Sequence, residues 1–462
     1  MDIIIKNGTI VTGEGTFKAD IGIEKEKIAA IANRIDADGA KVIDATGKLV
    51  MPGAIDVHVH FQLPFCGTVS ADDFENGTKA AACGGVTSII DFAIQKKGQS
   101  LLDAVSARKA EADGKVCVDY SLHAVPTDWN PNTPGEMEKL ASEGITSFKM
   151  FMIYAKEGMI SDDDALFSAL ETVSHFGGIV GVHAESVRVL DLLIARYHNE
   201  ADMKQYGAYC HVLSRPNFIE AEAISRAVTW SEATGGKLYI VHMSTGEGAN
   251  IISNAHKRGI KVFAETCPQY LLLNDSVFKQ PNGHLYATCP QIKKNEDSER
   301  LWDGLASGDV STIATDTCTF DTKQKAMWDG DFTKIPFGLP GVETLLPLAY
   351  TYGVGQGKIT LQRLVQLVST NPAKLMGMYP QKGSLSVNTD ADIVIFDPNR
   401  EVKLSYKDLQ TNCDWSPYEG FQLRGYPSLT ICRGKVVAEN GKFCGKIGFG
   451  KFIKRVSGFN EL

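Results

Sequence analysis

Between residues 54 and 316 the chain repeats one hydrophobic pattern: a short run rich in Val and Ile, then a longer stretch with helical spacing. Eight such runs occur: Ala54 to His58, Val86 to Phe92, Cys117 to Val125, Ile145 to Met152, Ile179 to His183, Leu238 to His242, Lys261 to Glu265 and Thr312 to Asp316. Their apolar residues stand mostly side by side rather than at alternate positions. Such runs predict strands covered on both faces, and strands alternating with helices form a parallel sheet. Eight of them predict closure into a barrel.

The two ends of the chain are patterned differently. Asp2-Ile-Ile-Ile-Lys and Ala19-Asp-Ile-Gly-Ile-Glu lie near the start; Ala391-Asp-Ile-Val-Ile-Phe, Ser428-Leu-Thr-Ile-Cys and Lys435-Val-Val-Ala follow residue 380. These are short alternating strands between Gly and Asn turn signals. The fold class expected is α/β: a (β/α)8 barrel over residues 51–378, and a smaller β-sandwich built from residues 1–50 and 379–445. A tail, 446–462, carries Phe449, Phe452, Ile453 and Phe459, apolar side chains suited to a subunit contact or to packing on the β domain. A chain of 462 residues is too long for one ordinary core but suits a barrel of roughly 250 residues or more with a satellite domain.

Composition narrows the function. With 44% hydrophobic and 22% charged residues the chain reads as globular, and a net charge of −8 argues against nucleic acid or an anionic membrane as partner. No run of about 18 apolar residues predicts a membrane span, and the first residues lack the basic and apolar regions of a secretory signal. Ten cysteines are scattered singly with no CxxC pair, which points to a reducing cytoplasm.

In such barrels chemistry resides at the C-terminal ends of the strands. His58 and His60 close the first run, Lys149 lies in the fourth, and His183, His242 and Asp316 close the fifth, sixth and eighth. Two histidines spaced by two on a strand share a face, and imidazole nitrogens are good ligands for zinc. A single histidine ending a strand is usually structural. His123, His175, His198, His211, His256 and His284 are read that way, whereas four histidines and an aspartate at one barrel mouth predict a metal site. Lys149, in Ile145-Thr-Ser-Phe-Lys-Met-Phe-Met, falls where a strand would bury it, and a buried ammonium is costly unless paired or neutralised. Two states answer that: an ion pair with Asp316, or a carbamate formed with CO2, which requires the neutral amine that desolvation favours. A thiolate from Cys267, Cys289 or Cys318 is a third source of reactivity, although isolated cysteines are more often small buried hydrophobes.

The run Met51-Pro-Gly-Ala-Ile-Asp-Val-His-Val-His resembles the opening signature of the amidohydrolase superfamily. Gly84-Gly-Val-Thr-Ser-Ile-Ile-Asp-Phe, Ser147-Phe-Lys-Met-Phe-Met, Val182-His-Ala-Glu, Tyr239-Ile-Val-His, Glu265-Thr-Cys-Pro-Gln-Tyr and Gly341-Val-Glu resemble its dihydropyrimidinase and D-hydantoinase branch. Phe61 to Phe65, Asp91 to Gly98 and Thr315 to Phe320 look closer to the dihydropyrimidinases within it.

That resemblance implies hydrolytic opening of dihydropyrimidines or hydantoins to N-carbamoyl amino acids at two divalent ions, zinc foremost, in a homotetramer. It implies His58, His60 and Asp316 as ligands of one ion, His183 and His242 of the other, and carboxylated Lys149 with a hydroxide between them. Asp316 would also carry the proton from water to the leaving nitrogen, and Tyr154 would donate to the developing oxyanion. Backbone groups at Cys289 and Phe337 would hold the ring. Both positions depart from the branch, which usually has Ser in place of Cys289 and Asn in place of Phe337, so pocket shape and substrate preference are expected to differ there. The alternatives are an allantoinase-like ureide hydrolase, or a non-catalytic assembly protein of the dihydropyrimidinase-related kind, which lacks metal ligands. A dihydroorotase would need an arginine for the substrate carboxylate, and none stands out.

Overall fold

The computed structural model describes residues 1–458 and 462. Phe459, singled out above, lies outside the described residues. One eight-stranded parallel sheet forms the centre of the fold: β1 (Ala54–Asp56), β2 (Val86–Ile94), β3 (Asp119–Val125), β4 (Ser147–Phe151), β5 (Ile179–His183), β6 (Lys237–Ile240), β7 (Val262–Thr266) and β8 (Thr312–Ile313), each paired with its sequence neighbour. A parallel bridge between Val59 and Thr317, just beyond β1 and β8, closes the ring. Each predicted run overlaps one of these strands. β3, β4 and β5 are buried at every residue, which is why their apolar runs are continuous.

The first and last strands stop earlier than the pattern predicts. Beyond Asp56 and Ile313 backbone pairing gives way to a side chain: Asp56 Oδ1 accepts the Thr315 N–H (3.1 Å) and the His58 N–H (3.2 Å). The carboxylate thus ties the ends of β1 and β8 together at the mouth.

Both ends of the chain build the second domain. Strand Leu49–Pro52 pairs antiparallel with Ile393–Lys403 inside a seven-stranded sheet, and a four-stranded sheet from residues 3–44 lies against it. Ile5, Ile10, Ile21, Ile393, Ile395 and Ile431 share one core, so the hydrophobic strips of both arms bury each other. Lys382, fully buried, ion-pairs with Asp119 of β3 and with Asp392 (2.6 Å each), clamping the β domain to the barrel.

The tail packs on the barrel and also reaches the β domain, where Arg433 donates to Phe449 O (2.6 Å) and Lys451 Nζ pairs with Glu26 (2.8 Å). The Tyr120 N–H donates to Lys451 O (3.0 Å), the Ile453 N–H to Tyr120 O (2.7 Å) and the Arg455 N–H to Gly144 O (2.9 Å). The buried Arg455 guanidinium donates to Ser147 Oγ (2.7 Å) and to Leu122 O. Residues 450–458 therefore cover the strand beginnings, leaving the opposite end open.

Candidate active site

At that open end, His58, His60, Lys149, Tyr154, His183, His242, Cys289, Asp316 and Phe337 all line one cavity. Leu63, Phe65, Ile94 and Met159 line the same cavity as its apolar part.

The histidine rings are packed together: centroids of His58 and His60 are 5.1 Å apart, His58 and His242 5.3 Å, His183 and His242 4.5 Å. Asp316 Oδ1 lies 3.2 Å from His58 Nε2 and 3.3 Å from His60 Nε2. Burial, helped by the nearby Lys149 charge, depresses His58 and His242 well below the ordinary histidine range, so both rings are neutral with a free lone pair. Among the described residues, His58 Nε2, His60 Nδ1 and His242 Nδ1 are buried with no hydrogen-bond partner. Orphaned ring nitrogens at a cavity wall fit coordination to cations.

Lys149 Nζ stands between the faces of Phe92 (5.5 Å) and Phe151 (5.3 Å). The ion pair with Asp316 is not formed: among the described residues no carboxylate oxygen comes within 4.0 Å of this amine. Burial lowers its pKa to about 8, which puts a substantial neutral fraction within reach of ordinary pH.

Three of these residues adopt left-handed backbone conformations: Tyr154 (φ 64°), His242 (φ 38°) and Asp316 (φ 53°). Strain of this kind in residues other than glycine persists where surrounding structure enforces it, commonly at functional sites. At His242 the enforcing partner is visible, because its N–H donates to Glu265 Oε1 (2.9 Å).

Glu265, at the end of β7, was not among the residues expected here. It is completely buried; Oε1 lies 2.7 Å from His58 Nδ1, and Oε2 accepts from the Tyr239 hydroxyl (3.0 Å). One carboxylate thereby orients His58 and positions His242, and fixes Nε2 as the ring nitrogen that His58 turns to the cavity. Its sequence signal was available: an acid closing an apolar run is as anomalous as Lys149. Glu185, two residues after His183, is the second such support, with Oε2 3.0 Å from His183 Nε2. Burial opposes the Glu185 charge, but His183 and Arg215 outweigh it and hold the carboxylate at about 2. With Nε2 engaged, His183 keeps Nδ1 for a ligand.

The histidines assigned to structure behave so where their bonds are visible. His123 uses both nitrogens, on Val57 O (2.9 Å) and Ser147 Oγ (2.5 Å), and His211 contacts Thr288 O (2.8 Å) and Arg215. The thiols of Cys267, Cys289 and Cys318 are pushed far up by burial, so none stands ready as a thiolate nucleophile. Phe337 stacks on His211 (4.8 Å) beneath the Arg215 guanidinium (5.4 Å), as a fixed aromatic wall.

A parallel barrel with histidines, a lysine and an aspartate converging at its strand ends defines a class. The chain belongs to the amidohydrolase family, which it matches over residues 49–205 and 214–437. It is 42% identical to the D-hydantoinase of Geobacillus stearothermophilus over 459 residues, 98% of this chain and 97% of that one. It is 39% identical to the dihydropyrimidinase of Dictyostelium discoideum, covering 98% and 90%. The solved dihydropyrimidinase of Brevibacillus agri superposes with a TM-score of 0.96 at 39% identity over 99% of each chain. Identities of 42% and 39% do not separate hydantoinases from dihydropyrimidinases, so the leaning toward the latter gains no support.

Proposed function

We propose that this protein hydrolyses cyclic amides and ureides, opening 5,6-dihydropyrimidines to N-carbamoyl-β-amino acids and hydantoins to N-carbamoyl amino acids. The observation that carries this is the cluster of buried ring nitrogens without partners around Lys149 and Asp316. Those donors suit two divalent ions, zinc foremost: His58, His60 and Asp316 would hold one, His183 and His242 the other, and Lys149, carboxylated on its neutral amine, would add an anionic ligand. When bound, such a pair lowers the pKa of water and polarises the ring carbonyl.

The remaining chemistry falls to side chains of this chain. Asp316 accepts the proton of the attacking water and returns it to the ring nitrogen as the amide bond breaks. Tyr154 keeps its proton because burial pushes its hydroxyl far up, and it donates to the oxygen on which charge develops. Backbone groups at Cys289 and Phe337 orient the ring, and the apolar part of the cavity excludes water. We place the enzyme in a reducing cytoplasm, consistent with ten free cysteines, and expect a homotetramer. All six ligand positions being filled, an assembly protein without metal is the weaker reading.

The test is to assay dihydrouracil, hydantoin, 5-substituted hydantoins and allantoin side by side with metal-analysed protein. The proposal expects N-carbamoyl amino acids from the first three; turnover of allantoin alone, or of none by protein holding two ions per chain, would overturn it.

A further inference from the structure

We propose that Cys289, Glu185 and His183 form a separate position for a thiophilic divalent cation, on the wall of the same cavity. The ion site rests on these side chains alone; only its effect on substrate rests on the ring-opening function.

Cys289 Sγ lies 3.1 Å from Glu185 Oε2 and 4.0 Å from His183 Nε2, and the two latter atoms are 3.0 Å apart. All three residues are buried. Zinc-like bond lengths of about 2.0–2.3 Å give edges of roughly 3.3–3.7 Å in a tetrahedral site, so each separation needs to change by about 0.5 Å or less. One thiolate and one carboxylate neutralise a divalent charge, the imidazolate charge of His183 being shared with the metal pair, and the sulfur selects a soft ion. Cys289 and His183 both face the cavity, which provides entry and leaves a fourth position open.

A second cluster of similar make-up shows what a filled one looks like. Asp119, Asp392 and Cys432 also lie within ligand distance of one another, but Lys382 (2.6 Å to each acid) and Arg433 (3.0 Å to Asp119) already supply the cations. At Glu185 the ion-pair partner among the described residues besides His183 is Arg215, whose Nε is 3.8 Å away and makes no hydrogen bond.

Binding displaces the thiol proton and the Nε2 proton of His183 to solvent. It leaves Nδ1 of the same ring to the metal pair and puts a cation where the ring of the substrate enters, so such an ion inhibits by competition.

The experiment adds cadmium to the fully metallated protein, reading sulfur-to-cadmium charge-transfer absorption in the ultraviolet and cadmium retained per chain. One equivalent is expected to bind with the band. Cys289→Ser should abolish the band and weaken that binding about tenfold or more. Cys66→Ser and Cys444→Ser, at the two thiols that are not buried, should leave both intact. A band unchanged in Cys289→Ser, or lost in either control, overturns the proposal. Should Cys289→Ser not fold, the cadmium X-ray absorption spectrum of the unaltered protein decides: one sulfur among nitrogen and oxygen scatterers supports the site, and none refutes it. A protein that lacks its two resident ions but still shows the cysteine-dependent band would refute the catalytic reading and leave this one standing.

Discussion

Replacing Glu265 with Gln isolates what one buried carboxylate does for the metal site. The substitution keeps the shape, and the amide oxygen can still accept from His58 Nδ1 and the His242 N–H, now 2.7 and 2.9 Å from Glu265 Oε1. The amide nitrogen then faces the Tyr239 hydroxyl, which can turn its proton to Thr312 Oγ1, 2.6 Å away. No group is left unpaired, so the fold should survive. What disappears is the carboxylate charge on the bond to His58; burial pushes Glu265 up to about 8, and cations in the site would hold it ionised. Charge-assisted hydrogen bonds are worth about 1.5–3 kcal/mol and neutral ones about 1, so the His58–metal interaction loses roughly 1–2 kcal/mol of orientation and basicity. Losing such support typically costs about 10–100-fold in metal affinity. The assay is equilibrium competition with a chelator, followed by metal analysis, on the parent and Glu265→Gln. The Gln oxygen still accepts from the His242 N–H, so the ion assigned to His58 should weaken more than the one assigned to His242. Unchanged affinity, or a greater loss at the His242 ion, would refute the reasoning.

Tyr154→Phe should retain both ions and lose about 10²–10³ in kcat, as removal of an oxyanion donor does; an unchanged kcat, or lost metal, contradicts its assigned role. Asp316→Asn should lower kcat by about 10²–10⁴ and release the ion held with His58 and His60; full activity removes Asp316 from the proton path. A pH-dependent test is provided by Lys325, fully buried with its ammonium donating to Ala287 O (3.1 Å) and Pro336 O (2.7 Å). Burial lowers its pKa from 10.5 to about 7. Below pH 7 both states hold the proton, and between 7 and 10.5 only the unfolded chain does, so this group makes stability rise with pH across that window. Lys325→Met should flatten that rise in denaturant titrations at pH 7 and 9; an equal slope in both proteins contradicts the shift.

Much of this site is legible in the sequence because barrel strands are buried on both faces. A polar residue inside such a run is then conspicuous, which singles out Lys149 and the histidines closing their strands. The same argument applied to Glu265 and Asp56 would have found the supporting carboxylates, but acids near strand ends pass easily for turn residues. The ends of β1 and β8 were misplaced because side-chain bonds to Asp56 replace the ladder there, and single-residue turns at His242 and Asp316 have no pattern of their own. The course of the tail is the least readable feature. Phe452 and Ile453 announce only that they need burial, and the surface that buries them, around Tyr120, is more than 300 residues away in sequence.

The central claim is that the Lys149 amine, desolvated and with no carboxylate of the described residues within 4.0 Å, becomes an anionic ligand. Protein reconstituted with two equivalents of zinc under 13C-labelled CO2 should show one carbamate carbon per chain by NMR, lost in Lys149→Arg. Fully metallated, active protein with an unmodified Lys149 would contradict the account.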